Sequence, residues 1–247
     1  MKMHTRTTLL TLCATLLAST LTFGDMFSVV DDTWVREDNA DSNRNGDDQI
    51  NARTDLDGPD NDVILLRFDI SSLSAPAVGS TLNLSWFRDD TSTSNSLSLW
   101  GLNDSAPGET SWLESTVTYN TAPGLIPDNL DVAVELANSS TYSEIQDLDL
   151  ANLTLIVDQQ AYGPQVTNEI YSFTSASLTD FINADTNGQV TFLILRGNES
   201  TSGNQARFQV KEVGTGAVLD VAVPEPATFA LLAGLGVLGF ALWRRRR

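Results

Sequence analysis

The stretch DNADSNRNGDDQIN at 38–51 is rich in oxygen ligands. Asp41, Asn43, Asn45 and Gly46 stand at the first, third, fifth and sixth positions of a D-x-N-x-N-G calcium loop. The second half departs from that pattern. Position twelve is Ala52, where a bidentate carboxylate belongs, and position eight is Asp48, where such loops bury an apolar residue. The expectation is a polar turn leading into a strand near Ile50. A Ca²⁺ site of another form stays open, because Asp47, Asp48, Asp55, Asp57, Asp60 and Asp62 put six aspartates within 47–62.

A second chemistry is stacking of aromatic faces on the C–H surface of sugar rings. In SLSLWGL, Trp100 shares a face with Ser98, opposite Leu97 and Leu99. Its ring is expected at the surface, and Trp100 is the candidate glycan contact. Trp86 lies on the face of Leu82 and Leu84 and is expected in the core. Trp34, Tyr142, Tyr162 and Tyr171 lie near turns and are undecided, with packing the commoner use of such residues. Paired carboxylates carry no signal, because acids are abundant and spacing across loops cannot show two of them held a few ångströms apart. The single histidine, His4, and the single cysteine, Cys13, both fall within residues 1–24. The rest of the chain therefore lacks Ser-His-Asp and Cys-His catalysis, His-ligated zinc and disulfides. The chain reads as a non-enzyme.

The elements that would position these residues are strands. TLNLSWF alternates apolar and polar positions, and SLSLWGL does the same. VILLRFDI, LTLIV and VTFLIL are near-continuous apolar runs, suited to central strands buried on both faces. Turn material separates them: DLDGPDND, SAPAVGS, NTAPG, AYGPQ, ADTNG. One helix is predicted at SLTDFINAD, with Leu178, Phe181 and Ile182 on a shared face and Ser177 as its cap. The fold class is therefore all-β, an antiparallel jelly-roll-like β-sandwich. The acidic stretch from Asp128 to Gln165 is less regular and reads as an insertion or a soft boundary.

Both ends carry addresses. Lys2 and Arg6 precede the apolar TTLLTLCATLLAS, and small or polar residues lead to Gly24, the pattern of a signal peptide over 1–24. At the other end, 227–243 is 17 positions without a charge, about 26 Å as a helix, and Arg244, Arg245, Arg246 and Arg247 follow. That is a single transmembrane helix with a cytoplasmic basic anchor. The body at 25–222 is the one domain. Residues 25–223 hold 31 acids against 8 basic side chains, a balance near −23. Nucleic acid is not an expected partner for such a surface, whereas cations such as Ca²⁺ are.

Three stretches, VILLRFDISSLSAP, SWLESTVTYNTAPG and LTDFINADTNGQVTFLILRG with ARFQVKEVGTGAVLDV, resemble the DNRLRE-type domain, which is similar to the family-96 carbohydrate-binding modules. The resemblance runs over about 28–222, beginning with DDTWVR at 31–36 and the Asn-Gly turn of NGDDQINAR. Its pattern falls on Arg67, Phe68, Asp69, Trp112, Glu114, Thr118, Tyr119, Asn120, Pro123 and Glu212. It implies a non-catalytic extracellular module associated with polysaccharide. The matching residues read as framework, with Trp112 plugging a core end and Thr118 and Asn120 ordering a loop. The chain departs from the family in having QVKE where a Ser precedes the basic-acidic pair. A body this acidic should repel a polyanion unless Ca²⁺ bridges them, so a neutral glycan, or Ca²⁺-mediated association, fits better. The ending, with Val223, Pro224, Glu225 and Pro226 before an apolar helix and arginines, resembles the PEP-CTERM sorting signal over 223–247. That resemblance implies recognition by an exosortase at the membrane and release to the cell surface or exopolysaccharide matrix.

Overall fold

A computed structural model describes residues 22–53, 61–89, 95–127, 148–196, 205–224, 241 and 244–245. Its spine is one long strand, β1 (Thr22–Arg36), which changes partners midway. The first part, Thr22 to Ser28, runs antiparallel to β10 (Val218–Pro224), and the second, Val29 to Arg36, to β3 (Asp62–Asp69). A register shift between Val29 and Asp31 marks the change. A bulge there bends the strand, and the sheet bends with it.

The remaining strands build out from β1 on both sides. Adding β4 (Gly79–Ser85), β5 (Asn95–Leu102), β6 (Leu153–Tyr162), β7 (Ile170–Thr174) and β8 (Gln189–Arg196) gives an eight-stranded sheet of order β6-β5-β8-β3-β1-β10-β4-β7. Every neighbouring pair in this order is antiparallel. The two edges come back toward each other and the sheet is nearly closed. Across that gap Gln160 Nε2 donates to the Ser172 carbonyl at 2.8 Å, and the Tyr171 hydroxyl donates to the Gln160 carbonyl at 3.1 Å. These side-chain bonds satisfy edge groups that a closed ladder would pair. A two-stranded ribbon of β2 (Gln49–Ala52) and β9 (Ala206–Gln209) lies against one end.

Inside the folded sheet lies the main core, with Leu66, Phe68, Leu82, Leu84, Leu99, Phe173, Phe192 and Leu219 among its members. Trp86 is wholly buried there, as its spacing predicts, with ring centroids 4.5 Å from Phe208 and 5.2 Å from Tyr162. The central runs behave as expected too: β3 and β8 are buried along nearly their whole length. The LTLIV run does not. It lies in β6 at the edge of the sheet, where Thr154 and Leu155 are exposed. An apolar run shows that a segment is apolar, but not which strands flank it.

A second core explains how β3, β5 and β8 can be apolar on both faces. Val63, Leu65, Trp100, Leu102, Leu193 and Leu195 point outward and are covered by Ala106, Trp112, Val117, Tyr119 and Leu125. The cover is the loop 103–125. Gly124 (φ +83°) lets it come this close, since a Cβ there would stand 3.1–3.3 Å from Leu153, Leu193 and Leu102. The helix α1 (Ala176–Ala184) forms where predicted, and Leu178 and Ile182 are its buried residues. Its cap, however, is Ser175, whose Oγ accepts from Leu178 N at 3.0 Å, and not Ser177. The predicted polar turn before Ile50 is present as well, leading directly into β2.

Candidate functional site

Four of the pattern residues, Arg67 with Trp112 and Glu114 with Glu212, meet in two ties that fasten the 103–125 loop to the sheet. In the first, Arg67 on β3 hydrogen-bonds to Asp31 on β1, its Nη1 donates to the Thr110 carbonyl at 2.9 Å, and its guanidinium lies 5.3 Å over the Trp112 ring. Trp112 is 6% exposed and donates from Nε1 to Thr191 Oγ1 at 3.1 Å. It plugs a core and offers no face to a ligand.

In the second tie, Lys211 Nζ sits among Asp32 (3.3 Å), Glu212 (3.0 Å) and Glu114. The backbone N–H of Lys211 also donates to Asp32 Oδ2 at 2.9 Å, and that of Asp32 to Glu114 Oε2 at 3.2 Å. Burial opposes the lysine's charge, but hydrogen bonds to Glu114 and Glu212 and the charge of Asp32 outweigh it and raise its pKa. Asp32 is nonetheless pushed up, by burial first, with Lys211 working against that. Among the described residues, Asp32, Glu114 and Glu212 form the acidic group whose ligand atoms all lie within 4.8 Å of one another, and the ammonium of Lys211 already sits among them. Asn43 and Asn120 complete the fastening. Asn43 Nδ2 donates to the carbonyls of Glu114 (2.7 Å) and Val117 (2.6 Å), and Asn120 Nδ2 to Asp41 at 2.8 Å.

The aromatic expectation needs correcting. Trp100 does share its face with Ser98, but that face lies beneath the 103–125 loop, leaving Ser98 at 0% and Trp100 at 8% exposure. It has no ring face free for a sugar. Trp34 is buried too, with Nε1 bonded to Asp47 at 3.1 Å and Arg44 4.9 Å over the ring. Tyr162 and Tyr171 join the main core, and Tyr142 lies outside the described residues.

Of the candidate calcium ligands, the three that are described do not form a group. Asp47 and Asp48 are exposed on the turn before β2, while Asp62 is fully buried at the start of β3, 3.7 Å from Arg36 Nε. Asp55, Asp57 and Asp60 lie outside the described residues. At the C-terminal end, Val223 and Pro224 are the last residues of β10, and Arg244 and Arg245 are helical and exposed. Glu225, Pro226, Arg246, Arg247 and nearly all of 227–243 lie outside. Among the described residues no helix is long and apolar enough to cross a membrane.

One open concavity does combine an aromatic with polar groups. It encloses about 520 Å³ between α1, the start of β6 and the loop after β5, with Phe181 and Leu155 as apolar lining and Asn103, Asp104, Thr154 and Asp180 as polar lining. Phe181 is only partly buried and rests on Phe192, centroids 5.7 Å apart. Gly101 in β5 makes room for it: a Cβ there would stand 2.4 Å from Phe181 Cζ. Thr154 Oγ1 donates to Asn103 Oδ1 at 2.7 Å, and Asp104 Oδ2 accepts from Thr186 N (2.8 Å) and Oγ1 (2.6 Å), so the polar wall is held in place. An apolar floor beside hydroxyl, amide and carboxylate groups suits a ring with both C–H and O–H surface. Sequence reading placed Phe181 only on the core face of the helix. The signal available was Gly101, an isolated strand glycine of the kind that marks a close approach.

Comparison with known families gives two matches. The model of carbohydrate-binding module family 96 matches residues 25–152, and that of the PEP-CTERM protein-sorting motif matches 222–247. No curated protein matches the chain.

Proposed function

Since the chain belongs to carbohydrate-binding module family 96, we propose that it is an exported, non-catalytic protein that binds a neutral polysaccharide in the groove beside Phe181 and is sorted through its C-terminal motif. The observation that carries the binding reading is the groove itself, because the tryptophans and tyrosines nominated from sequence and described in the structure are buried. Asp104 and Asp180 line it, and the chain's formal charge is −18, so an anionic glycan is disfavoured there. The body is read as a jelly-roll-like β-sandwich over 25–222, freed from a signal peptide over 1–24.

The PEP-CTERM match supports export and sorting. In the reading proposed here, the apolar segment 227–243 holds the protein in the membrane with Arg244–Arg247 inside, an exosortase-type protease acts at Val223–Pro226, and the body passes to the cell surface or polysaccharide matrix.

Binding of the chain to a panel of neutral and acidic polysaccharides tests this. Saturable binding to a neutral glycan, weakened about tenfold by Phe181→Ala, is expected from loss of one stacked ring. Retained affinity in Phe181→Ala would move the site elsewhere. No binding to any glycan, together with Ca²⁺-dependent self-association, would make a structural matrix component the better description.

A further inference from the structure

The Phe181 groove continues beyond its own rim. In the β5–β6 pair, Gly101 lies opposite Thr154 and Leu102 opposite Leu153. The ladder runs one step further, because the Asn103 N–H donates to the Asn152 carbonyl at 2.9 Å. Side chains alternate along paired strands, so Gly101, Asn103, Asn152 and Thr154 fall on one face and Leu102 and Leu153 on the other. Burial agrees. Leu102 and Leu153 belong to the second core, whereas Phe181 stands where a Gly101 Cβ would point. From Phe181, one face therefore leads over Asn103 and Thr154 to Asn152.

A second concavity begins at Asn152. It encloses about 280 Å³ between segment 120–125 and the turn before β6, with Pro107, Asn120, Thr121, Pro123 and Asp149 in its lining. Pro107, Asn120 and Thr121 are exposed, so apolar C–H surface again stands beside amide and hydroxyl groups. Its walls are fixed. The Asp149 N–H donates to the Gly124 carbonyl at 2.9 Å, and Asn152 Nδ2 donates to Asp149 Oδ2 at 2.6 Å. Walls set in advance lose little freedom when a ligand enters. We propose that the two concavities are subsites of one site, joined across the Asn103–Asn152 pair, and that its ligand is an internal stretch of a linear neutral polysaccharide. This rests on the glycan reading above and specifies chain interior over chain end. A site for chain ends is closed on one side, whereas a chain leaving Phe181 over Asn103 enters a second concavity of the same chemistry. Asp104 and Asp180 border the first subsite and Asp149 the second, so both disfavour an anionic unit.

The test titrates the full-length chain in detergent with linear gluco-, manno-, galacto- and xylo-oligosaccharides of increasing length, from disaccharides upward, by calorimetry. In the series that binds, affinity should rise about tenfold from the shortest to the longer members and then level off, as a second subsite fills. Asn152→Ala and Pro107→Ala should remove that gain with length, whereas Phe181→Ala should weaken binding at every length. If Asn152→Ala fails to fold, Pro107→Ala decides, since its side chain is exposed. Phe181-dependent binding that is flat with length, or a full gain retained in the second-cleft variants, would overturn the extended site and leave the glycan reading standing. Binding to none of the series would overturn both.

Discussion

At the scale of residues, the pattern that resembles a binding module turns out to be fastening. Trp112, Arg67, Glu114 and Lys211 each spend their polar atoms on another segment of the same chain. Trp112→Ala should therefore destabilise by about 3–5 kcal/mol, the cost of a large buried side chain plus its cavity, as measured by denaturant unfolding. Lys211→Met leaves three carboxylates without their counter-charge and should cost about 1–3 kcal/mol at neutral pH. Its pH dependence has a definite sign. The folded pKa of Lys211 is raised, so its contribution is full below the ordinary lysine value of about 10.4 and is lost as pH climbs beyond it. Between pH 10 and 12 the native chain should lose stability faster than Lys211→Met. Parallel profiles would mean that the ammonium is not coupled to folding. Little of this was legible beforehand: Asp32 and Lys211 lie 179 positions apart, and no local pattern announces such a meeting.

At the scale of elements, the informative contact is a glycine in β5 under a phenylalanine from α1. Gly101→Val should drive Phe181 off its seat, costing about 1–3 kcal/mol by overpacking and weakening glycan binding as Phe181→Ala does. Unchanged affinity in a folded Gly101→Val chain would remove Phe181 from the site. The sequence placed β3, β4, β8 and α1 well, because their periodicity is a local property. It erred on β5 and β6 for a common reason. Alternation in β5 was read as one buried and one wet face, yet the 103–125 loop covers the second face. The apolar run in β6 was read as central, yet it forms an edge. Burial depends on what lies across from a strand, which its own residues do not record.

At the scale of the whole molecule, the match to carbohydrate-binding module family 96 ends at 152 while the sheet continues to Pro224. A chain stopped at 152 would lack β8, which pairs with both β3 and β5. It should remain unfolded, as circular dichroism and hydrogen exchange would show. The ends are also coupled: Thr22, Phe23 and Gly24 pair with Pro224, Val223 and Ala222, whereas β4 reaches only as far as Ala222. A chain starting at Asp25 leaves Val223 and Pro224 without strand partners. Limited proteolysis around 223–226 should then be faster than in a chain starting at Thr22. Equal rates would show that this pairing does not guard the sorting motif.

The sequence by itself determined what is additive or local. The chain is strongly acidic, residues 25–247 lack histidine and cysteine, both termini carry apolar segments flanked by basic residues, and its strand-forming runs are separated by turns. Charge, composition and periodicity can be read without knowing where the chain goes. Only the tertiary structure decided which aromatics are buried, that the pattern residues tie a loop to a sheet, and that Phe181 borders a groove. Each of these depends on segments tens to nearly two hundred positions apart coming within a few ångströms, and exposure and pairing exist only once they have met.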